Sequence, residues 1–105
     1  MALTGLNETD RGIIHRCLRA SAEGPYFEDW EFDTLFGVTR DELRVVVAAW
    51  PNVDESNEVV ALSINNALAN LLSYPHGKGD QVVNDVGKLA EIEHAFRTWR
   101  QYVHG

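Results

Sequence analysis

The chain has 105 residues, of which 45% are hydrophobic and 24% are charged, and its formal net charge at pH 7 is -7. These values are ordinary for a globular protein and predict one domain, residues 1–105, built on one core. Because a protein that binds nucleic acid needs a local excess of Lys and Arg, the acidic balance argues against a nucleic-acid partner and favours a basic protein.

The location of the protein is predicted from what the chain lacks. The N-terminus has no basic region followed by an apolar region, and no apolar run approaches the ~20 residues that a membrane-spanning helix needs. The only cysteine, Cys17, cannot form an intrachain disulfide, as expected in a reducing compartment, and is interpreted as a small buried residue. We therefore expect a cytoplasmic protein with no membrane partner.

The first predicted helix extends from Asn7 to Glu23. Asn7 is a suitable N-cap residue, and Glu8 and Asp10 in the first turn place negative charge at the positive end of the helix dipole. Gly24 and Pro25 follow, and proline cannot continue a helix.

The stretch from Tyr26 to Gly37 combines aromatic and acidic residues and contains no base. We expect a short helix from Asp29 to Phe36, capped by Asp29 and ended by Gly37 in a left-handed conformation. One interpretation is an aromatic corner that closes the core, and the other is a docking surface for a basic partner. That surface would comprise Tyr26, Phe27, Glu28, Trp30, Glu31 and Asp33.

A third helix is predicted to begin after Thr39, which forms a capping box with Glu42, and to end at Trp50 before a proline. The segment from Asp29 to Trp50 resembles the helix-turn-helix of bacterial DNA-binding modules, with Gly37 in the turn. That resemblance implies DNA contacts from the start of the third helix. Asp41 and Glu42 would then face phosphates, so DNA binding is the third and least favoured interpretation.

The segment from Glu58 to Tyr74 is apolar around most of its circumference, which predicts a central helix, with Ser56 as its N-cap. Its polar stripe contains Asn66 and Asn70, and buried amides must find hydrogen-bond partners. The structural interpretation is that these amides bind backbone ends of neighbouring segments, such as the turn after Gly24. The functional interpretation is a polar groove for a ligand, formed by Asn66, Asn70, Tyr74 and His76.

The last segment, from about Asp80 to Val103, repeats apolar residues at helical spacing and is predicted to be one long helix. No useful alternating pattern indicates a strand. The expected fold class is all-α, with four principal helices and one short aromatic-rich helix packed around the central helix Glu58–Tyr74. Short loops imply that neighbouring helices are largely antiparallel.

Motifs for metal and cofactor chemistry are incomplete. Glu91 and His94 have the spacing of one ligand pair of a helical di-iron site, which needs two such pairs and two further glutamates. The glycine-containing loop from His76 to Gly79 has neither the preceding strand nor the Ser or Thr of a P-loop. The sequence therefore predicts no metal and no cofactor, and it favours a non-enzymatic role.

The favoured function is protein binding. In size and charge the chain is similar to bacterial immunity and inhibitor proteins, which implies an acidic face that covers a basic partner. The alternative is a small-molecule-binding protein or a small enzyme that uses the Asn66, Asn70, Tyr74 and His76 groove. The oligomeric state is left open, a homodimer included.

Overall fold

The computed structural model describes residues 5–104, with side chains described for residues 5–102. Within this part of the chain there are helices and no strands, which confirms the all-α fold class. The helices are α1 (Glu8–Glu23), α2 (Asp29–Phe36), α3 (Arg40–Ala49), α4 (Glu58–Ser73), α5 (Gly79–Asp85) and α6 (Leu89–His104). None of the described helices has the length and apolarity needed to cross a bilayer.

Local capping signals fix the starts of α1 and α3. The Oδ1 atom of Asn7 accepts the N–H of Asp10 at 2.7 Å, so the predicted cap of α1 is confirmed. At α3 the predicted capping box is also confirmed: Thr39 Oγ1 accepts the N–H of Glu42 at 3.0 Å, and Glu42 Oε1 accepts the N–H of Thr39 at 2.8 Å. Each bond satisfies a backbone donor that the first helical turn leaves free.

The caps predicted for α2 and α4 are each wrong by one residue. The N-cap of α2 is Glu28 and not Asp29, although the helix has the predicted bounds and ends at Gly37 with a positive φ of 69°. The N-cap of α4 is Asn57, whose Oδ1 accepts the N–H of Val59 at 2.8 Å. Ser56, the predicted cap, instead donates its hydroxyl to Asp54 at 2.6 Å.

The centre of the fold is shared by α1 and α4. The helix α4 contacts α1, α2, α3 and α6, while α1 contacts α3, α4, α5 and α6. The buried face of α4 includes Ile64, Leu68 and Leu71, and it meets a buried face of α1 that includes Ile14 and Leu18. The other helices therefore pack around both α4 and α1, and not around α4 alone as predicted.

The prediction of one helix from Asp80 to Val103 is wrong, because the segment divides into α5 and α6. Gly87, between them, has a φ of 152°, which side-chain-bearing residues rarely adopt. Beyond the break, Glu91 Oε1 accepts the N–H of Lys88 at 2.9 Å and helps to start α6. This extra division gives six described helices in place of the expected five.

Gly87→Ala is expected to destabilise the fold by about 1–3 kcal/mol, because alanine is strained at this φ. Its Cβ would also lie 3.1 Å from Cδ1 of Ile13. The matched control is Gly79→Ala, where the added Cβ meets nothing within 4 Å and φ is not positive. Urea denaturation of both variants checks the prediction, and equal stabilities of the two would contradict this account of the break.

Candidate functional site

The aromatic residues of the Tyr26–Gly37 stretch are mostly core. Tyr26, Phe27, Phe32 and Phe36 are all buried. The rings of Phe27 and Phe36 lie edge to face with their centroids 5.1 Å apart, and Phe32 stacks on Phe36 at 4.2 Å. The prediction that Tyr26 and Phe27 belong to an exposed surface is therefore wrong, because both rings pack inside this cluster.

Trp30 points the other way and is 81% exposed. The acidic residues Glu28, Asp29 and Asp33 are exposed on the same short helix and its cap. We call Glu28, Asp29, Trp30 and Asp33 the α2 surface. It retains three of the six predicted residues of the acidic and aromatic surface, Glu28, Trp30 and Asp33, and it adds Asp29.

Glu31, the remaining acid of that predicted surface, is half-buried and serves the fold. Its Oε2 accepts the hydroxyl proton of Tyr74 at 2.5 Å, and its Oε1 lies 3.4 Å from the N–H of Glu28. The hydrogen bond to Glu31 raises the pKa of Tyr74. Glu31 therefore links α2 to the end of α4, and its carboxylate is already hydrogen-bonded within the protein.

Arg40, at the start of α3, holds the backbone where α1 ends and α2 begins. Its Nη1 donates to the carbonyls of Ser21 at 3.2 Å and Ala22 at 2.7 Å, and its Nη2 donates to the carbonyl of Phe27 at 2.8 Å. Its Nε donates to Asp29 at 3.0 Å. The side chain is only 15% exposed, so these bonds replace water for a nearly buried charge.

The guanidinium of Arg40 also lies over the ring of Phe32, 4.3 Å from its centroid. Sequence reasoning placed Arg40 only inside a capping box and missed this role. The available signal was that Arg40 is the first base after a long acidic stretch. That signal does not identify carbonyls of α1 as its partners, because they come from a segment far earlier in the chain.

The other end of α2 is held by the asparagines of α4. Asn66 Nδ2 donates to the carbonyl of Phe36 at 2.7 Å, and Asn70 Nδ2 donates to the carbonyl of Leu35 at 3.0 Å. These carbonyls are among the last of α2, which have no partner within the helix. The amides do bind the backbone end of a neighbouring segment, although that segment is α2 and not the turn after Gly24.

His76 is also bonded to nearby backbone. Its Nδ1 accepts the N–H of Lys78 at 2.9 Å, so the proton of the neutral ring lies on Nε2, which is 3.1 Å from the carbonyl of Leu71. The ring packs edge to face on Tyr26, with centroids 5.4 Å apart. With Asn66, Asn70 and Tyr74 also bonded inside the protein, these contacts favour the structural interpretation of the stripe over a ligand groove.

Two further pairs join distant parts of the chain. The hydroxyl of Tyr26 donates to Asp85 at 2.6 Å. Burial raises the pKa of Tyr26, and the hydrogen bond to Asp85 raises it further. His94 Nδ1 lies 3.1 Å from Oδ1 of the buried Asp10. Among the described residues, no group of three or more His, Cys, Asp and Glu side chains is placed to hold a metal ion.

Cys17 is fully buried on α1. Burial raises the pKa of its thiol to about 12, so the thiol is neutral at physiological pH. Because the thiolate is the reactive form, Cys17 is a packing residue in the folded chain.

Comparison of the chain with models of protein families, with curated proteins and with solved structures finds no match. The case for a function therefore depends on the geometry described above.

Arg40→Met is expected to lower the free energy of unfolding by about 2–4 kcal/mol, because buried carbonyls lose charged donors that methionine cannot replace. Arg44→Met is the control, since the ion pairs of Arg44 are with the exposed Glu23 and Asp41, and its effect should be much smaller. Urea denaturation measures both. Equal losses for the two variants would show that the carbonyl contacts of Arg40 are unimportant.

The raised pKa of Tyr26 predicts that the stability of the fold depends on pH. A raised pKa means that the folded chain holds the phenol proton more tightly than the unfolded chain, so this contribution is complete below about pH 10 and is lost as pH rises above it. Urea denaturation from pH 8 to 11 should show a steeper fall for the wild type than for Tyr26→Phe. Parallel curves would contradict the burial of this hydroxyl.

Proposed function

We propose that the chain is a protein-binding domain that docks a basic partner through the α2 surface. The observation that carries this proposal is the exposure of Trp30, 81%, among the carboxylates of Glu28, Asp29 and Asp33. Tryptophan is among the residues that most often dominate interface energetics, and its indole presents a large area to a partner. The acids around it would select a partner with Lys or Arg at the rim.

The charge around the α2 surface supports a basic partner. From Glu23 to Thr39 the chain contains acids and no base. The two bases that follow, Arg40 and Arg44, are engaged by carbonyls of the chain and by Glu23, Asp29 and Asp41. Asp33 is exposed and has no ion pair within the described residues. Negative potential therefore extends from this surface and would steer a positively charged protein toward it.

The way in which α2 is held also supports docking. An isolated helix of this length is marginal in water. Here Arg40 binds the backbone at its start, while Asn66 and Asn70 bind the carbonyls at its end. A surface that is already ordered costs a partner less conformational entropy on binding. An immunity or inhibitor role is the form of this function that fits the size and charge of the chain.

The alternatives have less support. The polar atoms of Asn66, Asn70 and His76 that would bind a ligand already bind backbone groups. The helices α2 and α3 do flank a turn at Gly37, as in a helix-turn-helix. Asp41, in the first turn of α3, is however an exposed acid in the position where DNA contacts would be made.

The proposal predicts separable kinetic effects once a partner has been captured on the wild-type chain and purified. Trp30→Ala should speed dissociation and weaken affinity by about tenfold or more, because a central aromatic anchor is removed. Asp33→Lys should slow association, and its effect should shrink as salt rises. Stopped-flow mixing at two salt concentrations measures both rates.

The matched controls are Leu89→Ala, which truncates an exposed apolar residue on α6, and Asp80→Lys, which reverses an exposed charge on α5. Both should leave the rates unchanged, and circular dichroism should show equal helix content in all four variants. Association and dissociation rates that neither Trp30→Ala nor Asp33→Lys changes would refute the proposal.

A further inference from the structure

A groove lies between α3 and the start of α4, on residues that the α2 surface does not include. Its volume is 400 Å³. That is within the range of about 300–1,000 Å³ typical of sites that bury a ligand or an anchoring side chain. The groove is therefore large enough to accept side chains from a partner.

The lining of the groove is mostly apolar. The apolar lining residues are Val45, Val46, Ala49, Val53, Val59 and Val60. Val45 is 68% exposed, which is the highest value among the large aliphatic side chains that are exposed in the described part of the chain. A valine so exposed beside other apolar side chains gains from being covered, because apolar area is removed from water.

The rim of the groove is acidic. Glu42 and Asp54 line it, and none of the described lining residues is Lys or Arg. Hydrogen bonds from the hydroxyl and the N–H of Ser56 lower the pKa of Asp54, which keeps its carboxylate ionised. Glu42 Oε1 accepts a capping bond from Thr39, which orients that carboxylate without neutralising it. The groove is thus complementary to a segment that joins apolar and basic residues.

We propose that this groove binds an amphipathic helix of a basic partner protein, with aliphatic side chains inserted against Val45 and Val59 and with Lys or Arg beside Glu42 and Asp54. Grooves between helices are common sites for such helices, which present apolar anchors at i, i+3 and i+4. The proposal rests on the proposed function only for the idea of a basic partner. The groove itself is independent of Trp30.

The probe for this proposal is a synthetic helical peptide with leucines on one face and lysines on the other. Two comparison peptides replace its leucines with alanine or its lysines with glutamate. Titrations followed by the valine methyl signals of the protein give affinity and location together. The Leu/Lys peptide should bind about tenfold or more tightly than either comparison peptide, because it alone has both complementary features.

Protein variants locate the peptide. Val45→Ser should weaken binding by about tenfold, because it removes the exposed apolar contact. Val83→Ser, at a valine on α5 that is 42% exposed, should have no effect. Glu42→Gln combined with Asp54→Asn should weaken binding at low salt and much less at high salt, since it removes the charges while keeping oxygens that accept the bonds from Thr39 and Ser56.

The possible outcomes separate the groove from the α2 surface. Loss of peptide binding with Val45→Ser but not with Trp30→Ala supports the groove, whatever Trp30→Ala does to a natural partner. Loss with Trp30→Ala alone places the peptide on the α2 surface and overturns the groove proposal. Equal binding of the Leu/Lys and Ala/Lys peptides, or equal effects of Val45→Ser and Val83→Ser, also overturns it.

Discussion

The guanidinium of Arg40 meets a requirement that the backbone around α2 creates. Carbonyls at the end of α1 and in the linker before α2 point into a nearly dry site, where an unpaired acceptor would be costly. Arg40 donates to three of them and to Asp29, with 15% of its side chain exposed. Its planar fork of donors suits this task in a way that the single ammonium of lysine does not. The position of α2 relative to α1 and α3 depends on these bonds.

This arrangement explains how an aromatic-rich segment comes to display one tryptophan. Phe27, Phe32 and Phe36 pack inward, while the two ends of α2 are bound by Arg40 and by the asparagines of α4. Trp30 is then left on the outer face with the acids. Because Arg40 and Arg44 are used within the chain, the outer charge is mainly negative. The contacts that hold the phenylalanine rings in the core therefore also leave Trp30 and the acids on the outer face.

The sequence predicted what local chemistry decides. Asn7, Thr39 with Glu42, and Gly37 act within a few residues of their own positions, and all three were placed correctly. The break at Gly87 was missed because the apolar spacing continues across it, and periodicity does not report φ. The burial of Tyr26 and Phe27 and the partners of Arg40 depend on contacts between distant segments. Composition alone could not divide the aromatic residues into buried rings and an exposed Trp30.

Hydrogen exchange tests most directly whether Arg40 holds α2 in place. Amide exchange of residues 29–37 and of the buried centre of α4 is compared between the wild type and Arg40→Lys, with Arg44→Lys as the control. Because lysine keeps the charge and loses the fork, exchange in α2 should accelerate by about tenfold or more while α4 changes far less. Unchanged exchange in α2, or an equal acceleration in both helices, would contradict the account.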